Sequence, residues 1–221
     1  MHDSYNGDVV TYSDDGGASY RFSGELHKPG LDECALAQLH NGSVLAISRS
    51  CNVTGGFSSA NCETIKNDFS DARGSSAGAG FHHFAYSISN DGGAHWSPIG
   101  RLAQTLTPVC QASMTSYKRS VYYSSPFNAD TRRNLTIIAA DDGVDFSRSL
   151  LLDPGPAGYS SIVCGLPGKH DCGVAYEGQR VGNASEGCRG GKCWVQFLRF
   201  ASTDVVSHQP RPKESSPTAQ L

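Results

Sequence analysis

The sequence predicts an all-β protein built from a repeated antiparallel unit, and three observations lead to this prediction. Short stretches of alternating polarity recur along the chain, and none keeps a 3.6-residue period over three helical turns. Gly, Ser, Asn and Asp cluster between these stretches, and there are 25 glycines in 221 residues, as is typical of many strands joined by turns. One aspartate-centred turn also recurs, which indicates a repeat architecture.

Eight segments have strand character because β-branched and aromatic residues alternate in them with polar ones. They are residues 9–12, 43–48, 84–88, 120–124, 135–139, 161–164, 174–177 and 195–200. Residues 54–80 are rich in Gly, Ser, Ala and Asn, so we expect a long surface loop there. Residues 207–221 are rich in Pro, Ser and Lys, and we expect a disordered tail after a repeat domain over residues 1–206.

The recurring turn, which we call the aspartate turn, has the pattern S-x-D-x-G-x-x-aromatic. Residues 13–20 and 89–96 fit it fully, and residues 139–146 form a degenerate copy in which Ala139 replaces Ser. The Asp side chain accepts hydrogen bonds from the amides of its own turn, and Gly takes the positive φ that the turn needs. We therefore expect a structural and not a catalytic role for its three aspartates, which are Asp15, Asp91 and Asp141.

Turns of this kind, each following an alternating strand, are typical of β-propellers, whose blades run roughly 45–50 residues in related repeat folds. A chain of 221 residues then holds about three to four blades of four antiparallel strands. A closed propeller protects its strand edges by radial repetition. We expect exposed edges where only part of a ring is present.

Cysteines and sequons favour the secretory pathway, with a cytosolic thiol protein as the alternative. The even number of cysteines fits four disulfides, and no CxxC-type pair lies near histidines, so we expect disulfides and no metal. Two candidate pairs, Cys164/Cys172 and Cys188/Cys193, would close short loops. The eight cysteines are at positions 34, 51, 62, 110, 164, 172, 188 and 193, and the four sequons begin at Asn41, Asn52, Asn134 and Asn183.

Charge and hydropathy exclude other classes of function. The net charge of −3 comes without a basic stripe, so we expect no nucleic-acid partner. No apolar run approaches 18 residues, so we expect no membrane span. The first residues contain no apolar signal-peptide core, and with secretory features in the body of the chain this leads us to expect that the N-terminal part is missing.

Five further segments follow one another between and after the aspartate turns. They are residues 31–49 (LDECALAQLHNGSVLAISR), 110–113 (CQAS), 124–135 (SSP, then RRNL), 155–161 (GPAGYSS) and 176–177 (YE). In this order, and with the aspartate turn as the Asp-box, they resemble the sialidases (exo-α-neuraminidases), which are six-bladed β-propellers. The resemblance runs from about Val9 to Phe200 and implies a partial six-bladed β-propeller, equivalent to the C-terminal half to two thirds of a catalytic domain.

The resemblance implies a nucleophile and its base. Tyr159 would attack the sugar, and Glu33 would take the proton of its hydroxyl. Sialic acid has a carboxylate on its anomeric carbon, which would repel a carboxylate nucleophile but not a neutral phenol. Sialidases with a Tyr nucleophile are a known exception to the two-carboxylate scheme of glycosidases.

The resemblance also implies an arginine clamp on the substrate carboxylate. Arg49 and Arg132 would belong to it, with Arg133 as the alternative to Arg132, because planar guanidinium groups bind carboxylates bidentately. Glu177 would orient a clamp arginine. No cofactor is implied, and the partners would be sialylated glycoproteins, glycolipids or oligosaccharides.

Two elements of the family pattern are missing from the 32 residues that precede Glu33. One is an arginine in an F/Y-R-I-P-type segment, which begins the clamp; the other is the aspartate that protonates the leaving group. Arg21 follows an aspartate turn and does not lead to a proline, and Asp3 and Asp8 lie too close to that turn. Each such group supplies a factor of about 100 or more, so we expect the chain alone to be a weak catalyst.

Three hypotheses follow. The first is the C-terminal part of an exo-α-sialidase of the secreted or lysosomal-lumen type. The second is a non-catalytic Asp-box propeller fragment that binds glycans or protein partners. The third is a propeller unrelated to sialic acid, and it predicts that the side chains of Glu33, Arg49, Arg132 and Tyr159 do not converge.

Overall fold

The computed structural model describes residues 9–25, 31–50, 84–102, 104–108, 110–128, 131–141, 144–178 and 194–207. Over these residues the chain is all-β and forms part of a β-propeller, apart from a 3-10 turn at Ser202–Asp204. No helix in these ranges is long and apolar enough to cross a membrane. The predicted loop at 54–80, the Cys188/Cys193 pair and residues 208–221 lie outside the described residues.

The described part of the chain contains thirteen strands, and every pairing between them is antiparallel. They are β1 (Val9–Tyr12), β2 (Arg21–Glu25), β3 (Leu31–Gln38), β4 (Val44–Ser50), β5 (Ala85–Ser89), β6 (Gly100–Arg101), β7 (Ser113–Tyr117), β8 (Ser120–Pro126), β9 (Arg133–Asp141), β10 (Arg148–Cys164), β11 (Cys172–Gly178), β12 (Trp194–Phe200) and β13 (Val206–Ser207).

The strands form a hairpin and three successive blades. The hairpin is β1–β2, and the first blade is β3–β4–β5–β6. Strand β10 belongs to two blades, because residues 148–156 pair with β9 and residues 157–164 pair with β11. The middle blade is therefore β7–β8–β9–β10, with β13 added on β10, and the last blade is β10–β11–β12. The first strands of the three blades, β3, β7 and β10, pack side by side.

Each of the eight predicted segments overlaps an observed strand. The prediction missed β2, β3, β6, β7, β13 and the first half of β10. Ser207, predicted to begin the disordered tail, lies in β13, where it pairs with Arg148 of β10. The pairing supplies this residue with backbone partners that its composition does not reveal.

The middle blade is buried on both faces. Strand β8 is buried along its whole length. Tyr123 packs into an apolar cluster shared with the first blade, whereas Tyr122 packs into a cluster shared with the last blade. In β9, two-sided burial replaces the alternation of polar and apolar residues by a continuous apolar run at residues 137–140 (IIAA).

Both full copies of the aspartate turn form the expected network. Asp91 accepts hydrogen bonds from the amide of His95 (2.8 Å) and the hydroxyl of Ser89 (2.9 Å), and Ser89 Oγ accepts from the amide of Gly93 (2.8 Å). Gly93 has a φ of 100°, which side chains rarely adopt. The same contacts recur around Asp15. The turns close the β1–β2 and β5–β6 hairpins, so their aspartates are structural.

The degenerate third copy has different contacts. Asp141 lies 2.5 Å from Ser120 Oγ and 2.5 Å from Arg148 Nη2, so it connects β9 to both neighbouring strands. Ala139 has no hydroxyl to accept from the turn amides. Asp141 therefore joins three strands, whereas Asp91 bonds within its own turn.

Asp91 makes the stability of the fold sensitive to acid. The amide and ring of His95 and the Ser89 hydroxyl lower the pKa of Asp91 from 3.8 to about 2. A lowered carboxyl pKa contributes stability that is fully present above the unfolded value and is lost as pH falls through the folded value. We expect D91A to unfold at lower urea than wild type at about pH 6, with the difference shrinking toward about pH 2. Urea midpoints across this range test it.

The control for this experiment is D14A. Asp14 forms an exposed ion pair with Arg21 at 3.4 Å, and such surface pairs contribute little. Equal losses in D14A and D91A, or a D91A effect that does not change with pH, would contradict the prediction.

The predicted Cys164–Cys172 disulfide is present, at the β10–β11 hairpin. The expectation of four disulfides is wrong, because Cys110 is a free thiol with no exposed surface. Burial is the main cause that raises the pKa of this thiol to about 12, and the charges of Arg132 and Glu33 also act on it. Cys110 is therefore an unreactive interior group close to the candidate site.

Candidate active site

The side chains of four predicted site residues meet although they come from three blades. The Tyr159 hydroxyl donates a hydrogen bond to Glu33 Oε1 across 126 positions of sequence. Arg49 Nη1 lies 2.7 Å from Glu33 Oε2 and 3.3 Å from the Tyr159 hydroxyl. The guanidinium carbon of Arg132 lies 5.2 Å from the centre of the Tyr159 ring. The hypothesis of an unrelated propeller predicted separated side chains, and the structure brings them together.

Glu33 lies in a β-bulge. In the pairing of β3 with β4, Glu33 and Cys34 together stand opposite one residue, Ser48. Glu33 also has a φ of 49°, a conformation that is uncommon for any residue with a side chain. Bulges re-aim side chains next to active sites, and strained backbone clusters there. The bulge explains how a strand of a four-stranded blade directs a carboxylate at a residue of another blade.

Tyr159 lies in a second bulge of the same kind. Gly158 and Tyr159 together stand opposite Glu177 in the pairing of β10 with β11. The amide of Tyr159 donates to Glu177 Oε2 at 3.1 Å. The family resemblance implied that Glu177 orients an arginine; the contact observed is with the backbone of the tyrosine. Tyr159 is 36% exposed, so a ligand can reach its ring.

The two adjacent arginines point to different places. Arg132 precedes β9 and lies over the ring of Tyr159, within the range of a cation–π contact. Arg133 begins β9, and its Nη2 donates to the carbonyl of Pro154 at 3.4 Å. Of the two alternatives, Arg132 is therefore the one beside Tyr159.

Burial and the neighbouring carboxylate favour the protonated form of Tyr159. Burial, the hydrogen bond to Glu33 and the negative charge of Glu33 raise the pKa of Tyr159, and the charges of Arg49 and Arg132 oppose that shift. The phenol is therefore neutral at physiological pH, when an ordinary tyrosine is neutral as well. A reaction at this oxygen requires a base to take its proton, and Glu33 is a carboxylate within hydrogen-bond reach of it.

Sequence reasoning assigned no role to Gln111. Its Oε1 accepts a hydrogen bond from the amide of Ser160 at 3.0 Å, directly after Tyr159. Gln111 belongs to the C-Q-A-S segment that the sequence singled out, but only the packing of β7 beside β10 shows its contact.

No protein-family model and no curated protein sequence matches the chain. Its fold is similar to that of the Hadza microbial sialidase Hz136 (21% identity, TM-score 0.60, 89% of this chain and 32% of that one). It is also similar to that of the NanB sialidase from Streptococcus pneumoniae (17% identity, TM-score 0.64, 91% of this chain and 29% of that one). A third similar structure is the intramolecular trans-sialidase from Ruminococcus gnavus (18% identity, TM-score 0.61, 90% of this chain and 39% of that one). The chain has a sialidase-like fold.

The chain spans roughly a third of the length of these sialidases and the trans-sialidase, at 29–39%. At 17–21% identity the likeness defines the fold, whereas the chemistry depends on the side chains that the fold brings together. In this sialidase-like fold those side chains are a phenol, a carboxylate and two guanidinium groups.

Proposed function

We propose that this chain is part of an exo-α-sialidase-type glycoside hydrolase that removes terminal sialic acid from glycoproteins, glycolipids or oligosaccharides. The observation that supports this most directly is the hydrogen bond from the Tyr159 hydroxyl to Glu33, with Arg49 at 3.3 Å from the same hydroxyl. A tyrosine held against a base and beside two arginines fits a substrate that carries its own carboxylate at the reacting carbon.

In the proposed reaction the Tyr159 oxygen forms a bond to the anomeric carbon while the bond to the leaving oxygen breaks. The phenol proton passes to Glu33 Oε1. Water then attacks the anomeric carbon and releases the tyrosine, and Glu33 returns its proton to the phenolate oxygen. The proton that water loses passes to solvent and balances the one that the leaving oxygen takes up, so the products are sialic acid and the free alcohol. Arg49 and Arg132 hold the substrate carboxylate through both steps and stabilise the oxocarbenium-like transition state.

A departing sugar hydroxyl needs a proton from an acid, whereas fluoride and phenolate groups leave without one. Activated sialosides therefore test Tyr159 and Glu33 independently of the leaving-group acid that the sequence resemblance implies. The Cys164–Cys172 disulfide favours an oxidising compartment, and we propose a secreted or lysosomal-lumen protein.

The test is covalent labelling with 3-fluorosialosyl fluoride. Its anomeric fluoride leaves readily, and its second fluorine destabilises the transition state for release, so the sugar should accumulate on the nucleophile. We expect mass spectrometry to find one sialosyl adduct on the peptide that contains Tyr159, and none in Y159F. The matched control is Y20F, because Tyr20 is 68% exposed and lies in the aspartate turn.

Labelling at Tyr20, or equal labelling of wild type and Y159F, would contradict the proposed function. A chain that binds sialyllactose but is not labelled would instead be a glycan-binding propeller fragment. The arginines beside the exposed ring of Tyr159 favour this second candidate, because guanidinium groups bind a carboxylate sugar without any reaction.

A further inference from the structure

We propose that Gln111 is a positioning residue for Tyr159, fixing the backbone from which the phenol reaches Glu33. The inference rests on the proposed role of Tyr159 as nucleophile. It assigns a task to a residue on the neighbouring blade, next to β7, whose side chain bonds to the backbone beside the tyrosine and not to the phenol.

The two peptide groups that flank the Cα of Tyr159 are each held by a side-chain oxygen. Glu177 Oε2 accepts from the amide of Tyr159 (3.1 Å), and Gln111 Oε1 accepts from the amide of Ser160 (3.0 Å). The bond from the amide of Tyr159 restricts rotation about φ of Tyr159, and the bond from the amide of Ser160 restricts rotation about its ψ. Since Tyr159 lies in a bulge and has no regular pairing partner in β11, these two side chains replace the ladder bonds that hold other residues.

Gln111 is itself held in one orientation. Its Nε2 donates to the carbonyl of Ala112 at 2.7 Å while its Oε1 faces the amide of Ser160. Only this orientation of the amide group matches a donor with an acceptor at both contacts. Ser160 is anchored a second time, because its hydroxyl donates to the Ser124 carbonyl at 3.1 Å and the residue is only 6% exposed.

The bond between Gln111 and the amide of Ser160 is one of two similar bonds to β10 from residues 111–113. In the second, which lies two residues later in both segments, Ser113 Oγ accepts from the amide of Ile162 at 3.2 Å. Amides 160 and 162 lie on the edge of β10 that faces away from β11, and an unpaired buried edge is costly. Both bonds satisfy that edge, but only the bond of Gln111 is adjacent to Tyr159.

A small rotation of the Tyr159 backbone displaces the hydroxyl oxygen by more than it displaces the Cα, because the oxygen lies at the far end of the side chain. Productive geometry tolerates about 0.5 Å or roughly 10–20°, and a misplacement of about 1 Å can lower a rate about 100-fold. The hydrogen bond from the Tyr159 hydroxyl to Glu33 joins two blades, so both ends need rigid support. Gln111 supplies such support from the blade that lies between them.

The test compares Q111M with S113A in the full chain. Methionine keeps the size of glutamine but cannot accept the amide bond, and S113A removes the equivalent bond two residues away. The first readout needs no activity: NMR titration of ¹³C-tyrosine, with the Tyr159 signal assigned through Y159F. We expect the raised Tyr159 pKa to move toward the ordinary value in Q111M and to stay unchanged in S113A.

The second readout is labelling by 3-fluorosialosyl fluoride. We expect the maximal rate in Q111M to fall about 10- to 100-fold while the concentration for half-maximal rate stays nearly constant, because the clamp arginines are untouched. S113A should keep the wild-type rate. Q111N, which keeps the amide but shortens its reach, should shift the titration in the same direction and serves if Q111M does not fold.

An unchanged Tyr159 titration in Q111M and Q111N overturns the proposal, as does an equal shift in S113A, since either result would mean a merely structural bond. A wild-type chain that is not labelled overturns the proposed function instead. In that case the titration of Q111M against S113A still decides whether Gln111 positions the tyrosine.

Discussion

Replacing Glu33 by glutamine is expected to lower the rate at which 3-fluorosialosyl fluoride labels Tyr159 by about 10²- to 10⁴-fold, the usual contribution of a general base. The side-chain amide introduced by E33Q can still accept the hydrogen bond of the Tyr159 hydroxyl, but it cannot take the proton. Because the phenol is neutral at rest, its oxygen would have to attack with its proton attached. Fluoride release, followed over time, measures the rate.

The same substitution has a second expected result that does not depend on turnover. Burial raises the pKa of Tyr159 most, the hydrogen bond and the charge of Glu33 raise it further, and Arg49 and Arg132 lower it. In E33Q the raising charge is gone and the two arginines remain, so the pKa of Tyr159 should fall. NMR titration of the Tyr159 signal measures the shift.

The control for E33Q is E33D. Aspartate keeps a carboxylate that can take the proton but withdraws it by one methylene group, so we expect a rate between those of wild type and E33Q. A labelling rate in E33Q within about twofold of wild type would contradict the role of Glu33 as the base, since a twofold change corresponds to only about 0.4 kcal/mol.

Local chemistry made part of this fold predictable. The turns at Asp15 and Asp91 depend on side chains and amides within four residues of one another, so their sequence pattern contains the whole interaction. The Asp141 copy shows where such reasoning ends. Its partners, Ser120 and Arg148, lie on neighbouring strands, and no local pattern specifies them.

Strands that carry the site were the hardest to predict. In β3 the alternation breaks at the bulge that contains Glu33, and the segment LDECALAQ has the period of neither a strand nor an amphipathic helix. In β10 the turn-forming residues 153–156 (DPGP) conceal a strand of seventeen residues, whose register shifts at Asp153 and Pro156. Proline is compatible with a strand at such irregularities.

The candidate site was predictable only as a set of residue types in order. The resemblance proposed Tyr159 and Glu33 together, but nothing in their neighbourhoods shows that two bulges aim them at each other. Gln111 lay in a segment that the sequence had singled out, yet its partner is 49 positions away. Contacts between blades depend on how the first strands of the blades, β3, β7 and β10, pack together. The sequence of a single segment does not determine that packing.

Substituting the two adjacent arginines separately tests the clamp, and the effect of the first should be large. We expect R132A to raise the concentration of substrate or label for half-maximal rate roughly thirtyfold to several thousandfold, because truncating a charged partner costs about 2–5 kcal/mol. R133A should change it less than about twofold, since Arg133 donates to the Pro154 carbonyl at 3.4 Å and exposed contacts contribute little. The reverse result would make Arg133 the clamp.

Comparing a sialoside with its methyl ester distinguishes loss of carboxylate binding in R132A from a general disruption of the site. The methyl ester of a sialoside has the same sugar but no charged carboxylate, so it cannot form the charge-assisted pair that a guanidinium group favours. If Arg132 binds the carboxylate, R132A should weaken the acid strongly and the ester little, and the two ligands should become nearly equal in that variant. If Arg132 only packs on the ring of Tyr159, both ligands should lose the same factor, and the carboxylate would have to be held elsewhere, beginning with Arg49.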